Sequence, residues 1–208
     1  MISSLRRLYR RLRYGEPVVV VSGLPRSGTS MLMKMLEAGG VPIVTDGLRT
    51  ADEDNPKGYY EVERVKDLAQ EADRSWLGEA RGKGIKVISF LLRSLPDQFN
   101  YRVVFIRRDI EEILASQQKM LTRRGEADDT PPERMRSHFE DDLWRARYQL
   151  THRPCFELLE VRYREILDQP LEGAQRVNAF LGGALDVEAM AAVVDPQLYR
   201  NRASKGAS

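Results

Sequence analysis

The chain has 208 residues, a formal net charge of +2 and 42% hydrophobic side chains, enough for one compact core. The near-balanced charge leaves no global field of the kind that marks a nucleic-acid binder, so any anion site must come from a local cluster. One cysteine and two histidines exclude a disulfide framework within the chain and a Cys/His-rich metal centre.

Residues 1–15 read as a basic amphipathic helix. Leu5, Leu8 and Leu12 recur at helical spacing between Arg6, Arg7, Arg10, Arg11 and Arg13. The pattern predicts leucines docked on the core, or a face offered to a membrane surface or an acidic partner. No apolar h-region follows this basic start, and the longest apolar run, Val18–Val21, is far short of the ~20 residues of a span. The expectation is a cytoplasmic protein with no transmembrane segment. Residues 16–195 are expected to form a single domain, followed by a basic tail, 196–208.

Within that domain, Pro17–Val21 is a continuous β-branched strand, as in a parallel strand buried on both faces. A turn over Ser22–Ser27 leads to a helix from Thr29 to the Gly39-Gly40 stop. Val41–Val44 reads as a short second strand and Asp46–Gly58 as a polar loop. A helix over Glu61–Asp73 precedes a strand over Ile85–Phe90. The strand Arg102–Ile106 is followed by a helix over Asp109–Leu121. Arg123–Pro132, with its charges, glycine and Pro-Pro, reads as a mobile loop expected to close over an acceptor. A long helix, Glu133–Leu150, precedes the strand Phe156–Val161, and Tyr163–Gly182 is a turn followed by a helix. The alternation predicts an α/β fold in three layers: a central parallel sheet flanked by helices, in a P-loop nucleotide-hydrolase-like topology. Ligands of such sheets bind beyond the carboxyl ends of the strands, here on the loops after Val21, Ile88, Ile106 and Val161.

The loop after the first strand carries the strongest chemical signal. Gly23-Leu-Pro-Arg-Ser-Gly28-Thr29-Ser30 joins a buried strand to a helix. Small residues let backbone N–H groups turn inward as an anion nest. The helix start adds donors and its positive end. Thr29 and Ser30 supply hydroxyls, and Arg26 a permanent charge. The glycine spacing matches a Walker A loop, but Thr29 stands at the lysine position, which disfavours ATP hydrolysis. A P-loop small-molecule kinase and a non-catalytic nucleotide-binding protein are alternative readings of such a loop.

Pro25-Arg26-Ser27-Gly28-Thr29-Ser30 resembles the 5′-phosphosulfate-binding loop of the sulfotransferases that use PAPS (3′-phosphoadenosine 5′-phosphosulfate), with Arg26 where that family usually has lysine. Arginine keeps the charge and gives a fork for oxyanions but is a poor proton shuttle. A second motif agrees. In the family, an arginine at a strand end and a serine eight positions later grip the cofactor's 3′-phosphate; Arg108 and Ser116 meet that spacing. Lys86 resembles the family's strand lysine near the sulfuryl group. Ile88 stands where cytosolic members carry a histidine, so a histidine base does not carry over. Tyr163, in Tyr-Arg-Glu165-Ile-Leu, resembles a residue near the adenine, and Phe180-Leu181-Gly182 the family's helix end.

The resemblance implies sulfuryl transfer from PAPS to a hydroxyl or amine acceptor by in-line displacement, leaving adenosine 3′,5′-bisphosphate, with no obligatory metal. The cofactor-binding set is then Pro25, Arg26, Ser27, Gly28, Thr29, Ser30, Arg108, Ser116 and Tyr163. Arg26 and Lys86 would stabilise charge on the sulfuryl group. Glu61, after the Asn55–Tyr60 loop, is the expected base, since some branches use a glutamate in this region. The acceptor, whether small molecule, glycan or peptide, is not legible, and no nucleic acid is implied.

Overall fold

The computed structural model describes residues 2–46, 60–125 and 130–195. The elements, in chain order, are α1 (Ile2–Tyr14), β1 (Val18–Ser22), α2 (Thr29–Ala38), α3 (Glu63–Lys66), β2 (Gly84–Lys86), β3 (Tyr101–Arg107), α4 (Ile110–Arg124), α5 (Pro132–His152), β4 (Phe156–Arg162), α6 (Tyr163–Asp168), α7 (Pro170–Leu181) and α8 (Val187–Ala192). Short 3-10 turns occupy Asp67–Ala69, Ser75–Ala80 and Ser89–Ser94.

The four strands form one all-parallel sheet in the order β2-β1-β3-β4. Alternation along β1 explains its unbroken valines. Val18 and Val20 face a core layer with Leu68, Leu77, Leu92, Ala146 and Leu150. Val19 and Val21 face the other layer, with Leu32, Met33 and Leu36 of α2, Ala174 and Val177 of α7 and Met190 of α8. Both faces are therefore covered, as the sequence implied. From β1 the chain crosses to β2 on one side and then to β3 on the other. The switch point thus lies at the carboxyl ends of β1 and β3.

Several boundaries differ from the sequence expectation. Val41–Val44 is no strand: Pro42 has no N–H to give a ladder, and pairing shrinks to one bridge, Ile43 to Gly84. The helix expected over Glu61–Asp73 is only α3 and a 3-10 turn. β2 stops at Lys86, because the Ser89 N–H donates to Gly23 O at 3.0 Å and the chain turns over the loop after β1. Pro170 divides the last expected helix into α6 and α7. The Ser75–Ala80 turn and α8 were not anticipated. Residues 47–58 of the loop expected over Asp46–Gly58, 126–129 of the loop expected over Arg123–Pro132, and the 196–208 tail lie outside the described residues; α4 runs on to Arg124 and α5 begins at Pro132.

The largest departure is α1. Its leucines do not dock. Leu5, Leu8, Tyr9 and Leu12 are 65%, 55%, 62% and 80% exposed. The arginines of the opposite face dock instead. Arg10 donates to Asn100 Oδ1 at 3.0 and 2.6 Å, to Tyr101 O at 2.9 Å, to Cys155 O at 2.7 Å and to Phe156 O. Arg7 pairs with Glu157 at 2.9 Å. Carbonyls where β3 and β4 begin keep lone pairs beyond the ladder bonds, such as the one Cys155 O accepts from the Tyr101 N–H at 2.9 Å, and a guanidinium fork fits them.

Candidate anion-binding crevice at the carboxyl ends of β1 and β3

β1 ends at Ser22, and the chain turns through Leu24–Gly28 into α2. Ser27 shapes this turn: its N–H and hydroxyl both donate to Leu24 O, at 3.2 and 2.6 Å. Arg26 sits in the left-handed region at φ +65° and Gly28 at φ +108°. Such backbone aims successive N–H groups inward, and for a non-glycine residue it carries strain. Gly28 is required twice over. A Cβ there would lie 2.5 Å from the Tyr163 ring, and its φ is one that side chains resist. It is also the N-cap of α2 and provides no side-chain cap, the condition under which a helix start offers its N–H groups to an anion. Thr29 is buried, and Ser30 and Pro25 are half-buried beside it.

The second motif meets the first directly. Asp109 caps α4, accepting from the N–H groups of Glu111 and Glu112 at 2.8 and 3.3 Å. This fixes the helix that carries Ser116, itself buried. Arg26 Nε donates to Ser116 Oγ at 3.2 Å. Arg108 Nη1 donates to Arg26 O at 3.2 Å. Arg108 also pairs with Glu112 at 2.9 Å, both side chains buried, and its guanidinium lies 4.5 Å from the centre of the Tyr163 ring. Arg26, Arg108, Ser116 and Tyr163 are therefore one cluster, although 137 positions separate the first from the last. Burial pushes the Tyr163 hydroxyl above its ordinary pKa, and the neighbouring Arg108 pulls part of the way back.

Lys86 closes β2 beside the end of β1, paired in register with Val21. Its ammonium lies 3.3 Å from Glu61 Oε1, with the lysine 9% and the glutamate 25% exposed. Tyr60, just before, donates to Glu37 Oε2 at 2.6 Å. Burial and that carboxylate raise the Tyr60 pKa. An ammonium and a carboxylate thus stand together at the same edge of the sheet as the loop.

Two polar groups at this edge were not singled out from sequence. Ser22 Oγ is fully buried with no hydrogen-bond partner. Ser89 Oγ donates to Asp142 Oδ2 of α5, a contact that spans 53 positions and leaves no local signal. Glu112, which ties Arg108 in place, is legible as an i, i+4 pair. Among the described residues, no group of three His, Cys, Asp or Glu could hold a metal.

No protein-family model matches the chain, and no curated protein matches it. Among solved structures it is similar to the sulfotransferase domain from the curacin biosynthetic pathway, at 13% identity and a TM-score of 0.56, with 88% of this chain and 89% of that chain covered. It is also similar to a sulfotransferase from Alicyclobacillus acidocaldarius, at 17% identity and a TM-score of 0.51, with 83% and 85% covered. At such identities the likeness is one of fold: the chain has the fold of these sulfotransferases.

Proposed function

We propose that the protein is a PAPS-dependent sulfotransferase. The observation that supports this reading is the union of the Gly23–Ser30 loop with Arg108, Ser116 and Tyr163 at the sheet's switch point. A left-handed turn, an uncapped helix start and two arginines fit a ligand with anionic groups at two positions. The fold similarity agrees with it.

In this reading the backbone N–H groups of Gly28–Ser30, at the start of α2, hold the 5′-phosphosulfate. Arg108 and Ser116 hold the 3′-phosphate, and Tyr163 flanks the adenine. PAPS supplies the activated sulfuryl group, whose bond to the 5′-phosphate breaks as the acceptor's oxygen or nitrogen bonds to sulfur. Lys86 and Arg26 stabilise negative charge in that displacement. Glu61 takes the acceptor's proton at a carboxylate oxygen.

Adenosine 3′,5′-bisphosphate should raise the melting temperature without magnesium. Saturation at 100 times Kd corresponds to about 2.7 kcal/mol. If ATP with magnesium raises it and the bisphosphate does not, the protein is a P-loop kinase or nucleotide binder instead.

A further inference from the structure

The proposed function leaves α1 unused, and its orientation is the most unusual feature of the molecule. A basic amphipathic helix that only covered the core would bury its leucines. This one turns its polar face inward, where Arg10 and Arg7 hold it to the sheet edge, and presents Leu5, Leu8, Tyr9 and Leu12 to solvent.

These four side chains span about 100° of the helix circumference. Exposed arginines border the stripe on both sides: Arg11 on the flank next to Leu8, and Arg6 and Arg13 on the flank next to Tyr9. The surface continues past Leu8 and Arg11 into an open cleft of about 590 Å³, whose walls include Val41, Pro42 and Leu185. No helix among the described residues is long and apolar enough to cross a membrane.

We propose that α1 lies flat on an anionic lipid surface, with Leu5, Leu8, Tyr9 and Leu12 in the acyl boundary and Arg6, Arg11 and Arg13 among the headgroups. An apolar stripe on a convex helix, with cations along both of its edges, matches a plane that is apolar below and anionic at its rim. A second protein would need a groove fitted to the stripe and acidic groups on both of its lips. The geometry also leaves the crevice open. α1 docks where β3 and β4 begin, and the Gly23–Ser30 loop lies at the opposite ends of the strands, the seven residues of β3 or roughly 20 Å away. Docking through α1 therefore keeps the loop facing water and accessible to a soluble anionic ligand.

The test is co-sedimentation of the full chain with phosphatidylcholine vesicles, with and without phosphatidylserine. Binding is expected only to the mixed vesicles and should weaken as salt rises. Leu5→Ser with Leu12→Ser should lower the partition coefficient about tenfold or more. Arg6→Gln with Arg11→Gln and Arg13→Gln should lower it about a hundredfold. All five side chains are exposed, so both variants should melt as the wild type does, which separates lost binding from lost folding. No binding to mixed vesicles overturns the proposal, as does binding that the leucine variant leaves unchanged. Binding to soluble polyglutamate but not to vesicles would assign the face to an acidic protein. None of these outcomes depends on the bisphosphate result.

Discussion

At the amino ends of β3 and β4, Arg10 is surrounded by four acceptors, three of them backbone carbonyls, and Arg102 adds a bond to Leu181 O at 2.7 Å. At the carboxyl ends of β1 and β3, Arg26 rests on a serine hydroxyl from a left-handed backbone, and Arg108 reaches a loop carbonyl beside its partner Glu112. Both edges concentrate positive charge, but in different ways. Arg10 adds further donors to the carbonyls with which two strands begin, and burial lowers its pKa. Such an arginine belongs to the fold. Arg26 Nε and Arg108 Nη1 donate to neutral acceptors, a hydroxyl and a loop carbonyl, and a phosphate or sulfate oxygen, being ionised, can compete with them for those donors. The difference teaches that an arginine's role is read from its acceptors: carbonyls at strand ends mark structure, and strained loops with hydroxyls mark a site.

The largest effect that would sharpen the contrast is catalytic. Glu61→Gln keeps the size and the contact with Lys86 but removes the basicity. Turnover in a radiolabelled PAPS assay should fall by roughly 10²–10⁴, with bisphosphate affinity nearly unchanged. Retention of more than about a tenth of turnover would remove Glu61 as the base and leave Lys86 or the acceptor itself.

Next comes a pair of arginine substitutions, one from each edge. Arg10→Ala removes all of these guanidinium bonds at once and should cost about 2–4 kcal/mol of stability, with bisphosphate affinity unchanged. Arg26→Gly should do the reverse. Glycine accepts φ +65° without strain, so stability should stay within about 1 kcal/mol of wild type. Bisphosphate affinity should fall by about 1.5–3 kcal/mol. Thermal melts and ligand titrations of both variants decide this. If Arg10→Ala weakens the ligand as much as Arg26→Gly does, the two edges are not distinct in function.

The crevice was legible from sequence because its signals are local. Four consecutive valines, a glycine pair at P-loop spacing and a serine one helix beyond a strand-end arginine need only neighbouring residues for their meaning. The orientation of α1 was not legible. Periodicity shows that a helix has two faces, not which face the rest of the chain will accept. Here the deciding acceptors, Asn100, Tyr101, Cys155 and Phe156, are brought together only by the pairing of β3 with β4. Val41–Val44 misled for a related reason: three β-prone residues satisfy a composition rule, but Pro42 and the shortness of β2 limit the pairing to one bridge. Arg26 reaching Ser116 could not be read either, because the resemblance assigns the two motifs to opposite ends of one cofactor, and their direct contact depends on the pairing of β1 with β3.

The smallest expected effect lies beneath the loop, at the polar pair of Ser89 and Asp142. The Ser89 N–H supports Gly23 O, while its hydroxyl donates to the Asp142 carboxylate. Burial raises the Asp142 pKa above its ordinary value, against the opposing pull of Ser89, Arg93 and Arg145. A carboxyl with a raised folded-state pKa binds its proton more readily in the native chain than in the unfolded one. Ionised Asp142 therefore costs stability above its folded pKa. That cost shrinks as pH falls through the folded value and is gone below the unfolded value of about 3.9. Asp142→Asn can still accept from Ser89 and has no proton to gain. The melting temperature of the wild type relative to this variant should therefore rise as pH is lowered from 7 toward 4. A difference that stays flat, or that falls as pH is lowered, would show that burial does not hold the Asp142 pKa up, and that the support under the loop is not a partly desolvated acid.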